Sequence, residues 1–204
     1  MRVRKSQVQR RSDILLAART LFAGKGYGAC QMEDIRHAAG LSRGGLYHHF
    51  SGKLEILNGL VEEEILELVP VLEGAQQPLA ALIQVGSSHL GNDAGIVSVF
   101  RGTDELGLYV AAQERAMTAH LMAPLREAMA EGIRCGRYAR VDAGAAADLF
   151  LATNAHLTRR VLLDGWTDSR AATFVATALV ALSRLLDAEE ELAPVIESFR
   201  SREG

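Results

Sequence analysis

The chain has 204 residues, 49% of them apolar, and a net charge of −3, so a packed core is expected, in one large domain or a small one joined to a medium one. It has no unbroken apolar run of about eighteen residues, which argues against a membrane span, and its basic, polar start does not read as a secretory signal. Charge is uneven: residues 1–60 hold ten Lys/Arg against four acids, a net of +6, while the remainder carries −9, so the first quarter is either a polyanion-binding face or a solvated basic tail.

In chain order, residues 12–23 place Ile14, Leu15, Ala18, Leu21 and Phe22 at helical spacing, with Ser12 as the expected N-cap and Gly24 or Gly26 as the stop. A turn, "GKGYGA", precedes a short helix in "QMEDIRHAAG" that Gly40 should close. "SRGGLYHHF" is expected to be another short helix capped by Ser42, followed by an amphipathic helix from Ser51 to about Val69, where Pro70 marks an end or a kink. Further helices are expected near 76–91, 95–102, 105–135 (kinked by Pro124), 143–165, 168–187 and 190–202. No strand-like alternation and no repeat is present, so the fold class is all-α.

Residues 33–50 then form two helices about a tight turn. Ile35, Ala38 and Ala39 should face inward from the first, and Leu41, Leu46 and Phe50 from the turn and the second. This is a helix-turn-helix, whose second helix enters the DNA major groove. Glycine inside a helix costs roughly 1 kcal/mol relative to alanine, so Gly44 and Gly45 need a reason. Bare backbone at Gly44 allows close approach to the sugar-phosphate wall, and Gly45 can do the same. The helix start also offers free amides to a phosphate. Arg43, Tyr47, His48 and His49 are left to point outward, although Tyr47 also fits a core aromatic. His48 and His49 diverge on a helix and have no completing ligand, so no metal set is expected there.

The run "GYGACQMEDIRHAAGLSRGGLYHHFSGKLEIL", with "ILLAARTLFAGKGY" before it, resembles the signature region of the TetR (tetracycline-repressor) family of bacterial transcriptional regulators. The resemblance covers about forty-five residues of the chain; the rest matches only in being helical and of suitable length. It implies a three-helix DNA-binding domain over 1–52 and a larger ligand-binding and dimerisation domain over 53–204. It further implies DNA contacts by Gln31, by Ser42, Arg43 and Gly44 at the mouth of the reading helix, by Tyr47 and His48, and by Lys53 on a phosphate. Arg43 is the best candidate to read guanine through its bidentate fork.

Two departures from the family pattern stand out. Cys30 and Gln31 occupy the place of a hydroxyl residue, and glutamine is the poorer cap. Arg36 occupies the place of a small residue. Either it snorkels outward to add a DNA contact, the favoured outcome, or the two helices cross further apart. The basic residues Arg2, Arg4, Lys5, Arg10 and Arg11 form either a minor-groove arm or an idle one.

In the body, two long alanine-rich helices suit a four-helix seam across a homodimer. Polar groups on apolar helix faces are the candidate effector contacts: His89, Tyr109, His120, Asn154 and His156, with Phe100 and Met117 as apolar wall. Arg115 belongs to the same polar set. Histidines 89, 120 and 156 have no spacing that demands a metal, and no cofactor is expected.

The resulting expectation is a cytoplasmic, ligand-responsive regulator. It is a repressor that binds a palindromic operator in double-stranded DNA as a homodimer and is released by a small molecule. Catalytic motifs are absent from the sequence, which argues against an enzyme. The rivals retained are a family member that answers to a protein or binds DNA structurally, and a redox sensor using Cys30, which, like Cys135, otherwise reads as a reduced structural thiol.

Overall fold

The computed structural model describes residues 6–74, 76–81, 83, 95–166 and 168–201, and every regular element among the described residues is a helix. These are α1 (Gln7–Lys25), α2 (Met32–Ala38), α3 (Arg43–Tyr47), α4 (Lys53–Leu66), α5 (Val69–Gly74), α6 (Val97–Phe100), α7 (Leu106–His120), α8 (Met122–Arg134), α9 (Ala143–Leu162), α10 (Asp168–Leu186) and α11 (Glu189–Arg200). Residues 78–81 are also helical. The chain forms two compact units, one drawn from Met1–Glu63 and Asp93–Ala112, the other from Glu64–Asn92 and Gln113–Gly204.

In the first unit, the cap of α1 is Ser6 and not Ser12. The Gln9 amide donates to Ser6 Oγ at 3.2 Å and the Ser6 amide to Gln9 Oε1 at 3.0 Å. Apolar periodicity marks where a helix buries surface; this reciprocal cap marks where it starts. Gly26, at φ 83°, ends α1 as expected. Ile14, Leu15, Ala18 and Phe22 of α1 are buried with Ile35, Leu46, Phe50, Ile56, Leu57 and Leu60. Ala38, expected inside, is exposed. Helix α4 comes close to α1 at Gly59, where a Cβ would lie 3.1 Å from Leu15 and 3.4 Å from the Phe50 ring.

The helix expected to reach Val69 stops at Leu66, and α5 starts at Val69 with Pro70 in its first turn. Pro124 likewise sits in the first turn of α8 instead of kinking one long helix. Its missing N–H cannot serve the fourth carbonyl before it, so α7 ends at His120, and a first turn is where proline is tolerated.

The second unit contains α5, the part of α7 from Gln113 onward, and α8–α11, with α8 on α9, α9 on α10 and α10 on α11. By length and composition, Ser169–Leu186 of α10 is apolar enough to cross a membrane, with mean hydropathy 1.3. Scattered Ser and Thr interrupt its apolar residues, so no unbroken run marks it in the sequence. Its buried stripe, Ala172, Val175, Ala176, Leu179 and Leu182, is the face a bundle helix needs. One buried carboxylate ties three segments of this unit. Glu191 accepts from the amides of Leu79 at 3.0 Å and Ala80 at 3.2 Å, and from the Tyr138 hydroxyl at 2.8 Å. The Tyr138 ring covers Gly132 so closely that a Cβ there would overlap it. Burial, then the Glu191 carboxylate, pushes the Tyr138 phenol far up.

Candidate nucleic-acid interface

Helix α2 is seven residues long and α3 is five. Each buries one side chain, Ile35 and Leu46, so caps and turns have to fix much of their geometry. Gln31 makes no side-chain cap bond at the start of α2. Asp34 compensates by accepting the Gln31 amide at 2.7 Å while pairing with Lys25. The Lys25 ammonium, with that amide, holds the Asp34 carboxyl below the usual carboxylate range. Ser42 caps α3 as expected, its Oγ accepting the Gly45 amide at 3.1 Å.

The two glycines do different work. A Cβ at Gly44 would meet nothing within 4 Å, whereas one at Gly45 would lie 3.2 Å from Ser42 Oγ and 3.9 Å from Leu41 Cβ. Gly44 is therefore open to an approaching surface, and Gly45 makes room for the cap and for Leu41. Gln31, Ser42, Arg43, Tyr47 and His48 are all exposed. The Arg43 guanidinium lies 5.9 Å from the Tyr47 ring centre, and Tyr47 is 45% exposed, which a core aromatic would not be. His48 and His49 stand edge to face at 5.4 Å.

Two cations expected on DNA have partners inside the unit. Lys53 Nζ donates to the carbonyls of Tyr27 at 2.6 Å, Gly28 at 3.2 Å and Cys30 at 2.9 Å, and sits 4.4 Å over the Tyr27 ring. An ammonium has three donors, so a phosphate contact by Lys53 would require undoing this arrangement. Arg36 is turned back onto its own unit: Nη1 donates to the Leu41 carbonyl and Nε to Glu33, both at 2.8 Å. Of the basic tail, Arg10 and Arg11 belong to α1, and Arg11 pairs with Glu62 at 3.0 Å; Arg2, Arg4 and Lys5 lie outside the described residues. Cys30 is fully buried, and burial pushes its thiol up, which opposes the reactive thiolate an oxidant sensor needs.

The effector candidates separate. His89 lies outside the described residues. Phe100 and Tyr109 belong to the first unit. They continue an aromatic column: Phe22 to Tyr27 at 5.1 Å, Tyr27 to Phe100 at 5.0 Å, Phe100 to Tyr109 at 6.0 Å. Phe100 is fully buried there, because α6 packs on α1. In the second unit Met117 is buried and His120 and Asn154 are half-buried. His156 is exposed and meets Phe174 at 5.3 Å and Trp166 at 6.1 Å. Two groups missed from the sequence are Gln113 and Thr158, whose Oε1 and Oγ1 are buried with no hydrogen-bond partner among the described residues. A Glu114–Arg159 pair at 4.0 Å brings their stretches of α7 and α9 together. Only an orphaned polar atom distinguishes them, and sequence carries no sign of that.

Residues 14–60 match the family model for bacterial regulatory proteins of the tetR family. That segment holds α2, α3 and the turn just described. Over these residues the chain matches the DNA-binding region of the TetR family. Among curated TetR-type regulators, it is 31% identical over 125 residues to the HTH-type transcriptional repressor KstR2 of Rhodococcus jostii, covering 58% of this chain and 60% of that protein. It is 38% identical over 71 residues to the HTH-type transcriptional activator FasR of Mycolicibacterium smegmatis, covering 35% of this chain and 31% of that one. The chain thus spans between about a third and three fifths of the length of these relatives. In fold it is similar to a TetR-family regulator from Pectobacterium atrosepticum (TM-score 0.64, 24% identity, 89% of this chain and 98% of that one). It is also similar to RolR in complex with resorcinol (TM-score 0.61, 19% identity, 90% and 91%). These likenesses extend the family's all-helical architecture through the second unit.

Proposed function

We propose that this chain is a cytoplasmic, ligand-responsive TetR-family repressor and no enzyme, which binds a palindromic operator as a homodimer and is released by a small molecule. The observation that carries the DNA-reading part is the exposed start of α3. Unobstructed Gly44 stands among the exposed side chains of Ser42, Arg43, Tyr47 and His48. Arg43 reads a base edge there, and Tyr47, His48 and Ser42 set register on phosphates. Gln31 adds a contact from the start of α2.

Dimerisation is supported by α9 and α10, which leave Leu149 and Leu185 48% and 42% exposed in the single chain; a second copy would cover them. Effector binding is supported by Gln113, Met117, His120, Asn154 and Thr158, an apolar setting with a few polar anchors. Resorcinol-bound RolR and a SmeT–triclosan complex show that similar folds hold small phenols. Helix α7 runs from Tyr109, against Phe100, to Met117 and His120, so a ligand at its later turns biases the aromatic column at its start. It does so only by binding the released state better than the DNA-bound one.

The test is selection of fragments from the source genome on the purified protein, followed by fluorescence anisotropy on the enriched sequence at several salt concentrations. Enrichment of a two-fold symmetric site, bound tightly and weakened steeply by salt, supports the proposal. No enrichment over random DNA overturns it. A compound library screened for release of the bound site then tests the ligand.

A further inference from the structure

The turn between α2 and α3 is held at both ends by one residue. Gly40, at φ 64°, closes α2: its amide donates to the His37 carbonyl and the Leu41 amide to the Arg36 carbonyl, both at 3.1 Å. In this type of helix ending the side chains at the Arg36 and Leu41 positions ordinarily meet through an apolar contact. Here a charged hydrogen bond takes its place, from Arg36 Nη1 to the Leu41 carbonyl at 2.8 Å. Arg36 thus accepts from Leu41 through its backbone and donates back through its side chain.

Glu33 aims the guanidinium, accepting from Nε at 2.8 Å and standing 2.6 Å from Nη2. The next link is Leu41 itself, whose side chain lies against Gly45 in the first turn of α3. Glu33, Arg36, Leu41 and Gly45 form one continuous line from α2 into the reading helix. Two helices with one buried side chain each have little else to fix their mutual angle.

We propose that Arg36 is a positioning residue for DNA reading: it sets where α3 begins, acting through Leu41, and is not itself a phosphate contact. This rests on the DNA-reading function above. Glu33 is part of the same clamp.

The test has two arms. In the free, full-length protein, Arg36→Ala should speed hydrogen exchange at the Leu41 and Gly45 amides by about tenfold while leaving α1 amides unchanged. Unchanged exchange at both overturns the clamp without reference to DNA. On the selected operator, Arg36→Ala and Glu33→Gln should each weaken binding by about tenfold, with the slope of log K against log salt unchanged. The double variant should bind no worse than either single one, and Arg36→Lys should recover only part, because one ammonium cannot span both partners as the planar fork does.

A direct phosphate contact predicts the opposite pattern. Arg36→Ala would then make the salt slope shallower by about 1, and Glu33→Gln, by removing negative charge beside DNA, would leave binding equal or tighter. That result overturns the proposal. If the wild type selects no DNA at all, the positioning role falls with the function it serves, and the exchange arm still decides whether the clamp exists.

Discussion

The two units are held together differently. In the first, α2 and α3 are too short to bury much, and their placement depends on charged side chains gripping backbone: Lys53 on three carbonyls, Arg36 on a fourth, Asp34 on an amide. In the second, α9 and α10 are 20 and 19 residues long and carry continuous apolar stripes, with Glu191 as the main polar tie. Burial scales with helix length, while a cap or clamp works at a point. A reading head that must leave most of its surface bare for DNA is therefore fixed by point contacts, and a bundle by area.

The sharpest break of that contrast is at its exception. Glu191→Ala should cost about 3 kcal/mol or more, because it strands two buried amides and the Tyr138 hydroxyl. Urea denaturation at fixed protein concentration measures it, and a change within about 0.5 kcal/mol would remove Glu191 as a structural tie. Gly132→Ala should cost about 1–3 kcal/mol through overlap with the Tyr138 ring. In a Tyr138→Ala background the same substitution should be close to neutral.

In the head, Lys53→Met should cost about 1–2 kcal/mol in the absence of DNA, since three carbonyls lose a charged donor. Arg43→Ala should alter stability by less than about 0.5 kcal/mol yet abolish selection of the operator over random DNA. A stability loss at Arg43, or none at Lys53, would reverse the assignment of these two cations. The smallest effect is in pH. Glu33, Asp34 and Glu55 are held below the usual carboxylate range by Arg36, by Lys25 and by the Ser51 amide. A carboxylate depressed on folding contributes stability above its unfolded value, lost as pH falls through the depressed one. The amides of α2 should therefore lose exchange protection before those of α9 as pH is lowered below the ordinary carboxylate range, after correction for intrinsic exchange rates.

What sequence disclosed, and what it hid, follows the same division. Apolar spacing located α1 by Ile14, Leu15, Ala18 and Phe22, and residue type alone located the Ser42 cap and the Gly40 bend. The exposed set around Gly44 emerged because each member lies within one motif. The internal partners of Lys53 and Arg36 were hidden because a motif names side chains, whereas these two grip backbone carbonyls, up to 26 residues away. The partner of Phe100 was hidden for a similar reason. The pattern of 95–102 shows an apolar helix, and nothing in it names Tyr27, the ring it meets. Long-range partners are set by tertiary packing, which a local period does not encode.

The single tryptophan of the chain, Trp166, stands at the link between α9 and α10, with Arg170 4.7 Å and Arg160 5.7 Å from its ring and Phe174 beside it. Its emission is therefore a native optical reporter for that end of the α9–α10 pair alone. If a second copy closes over these helices, the colour and intensity of that light will change on dilution. Subunit exchange could then be followed in unlabelled protein, with the reading head, which has no tryptophan, staying dark throughout.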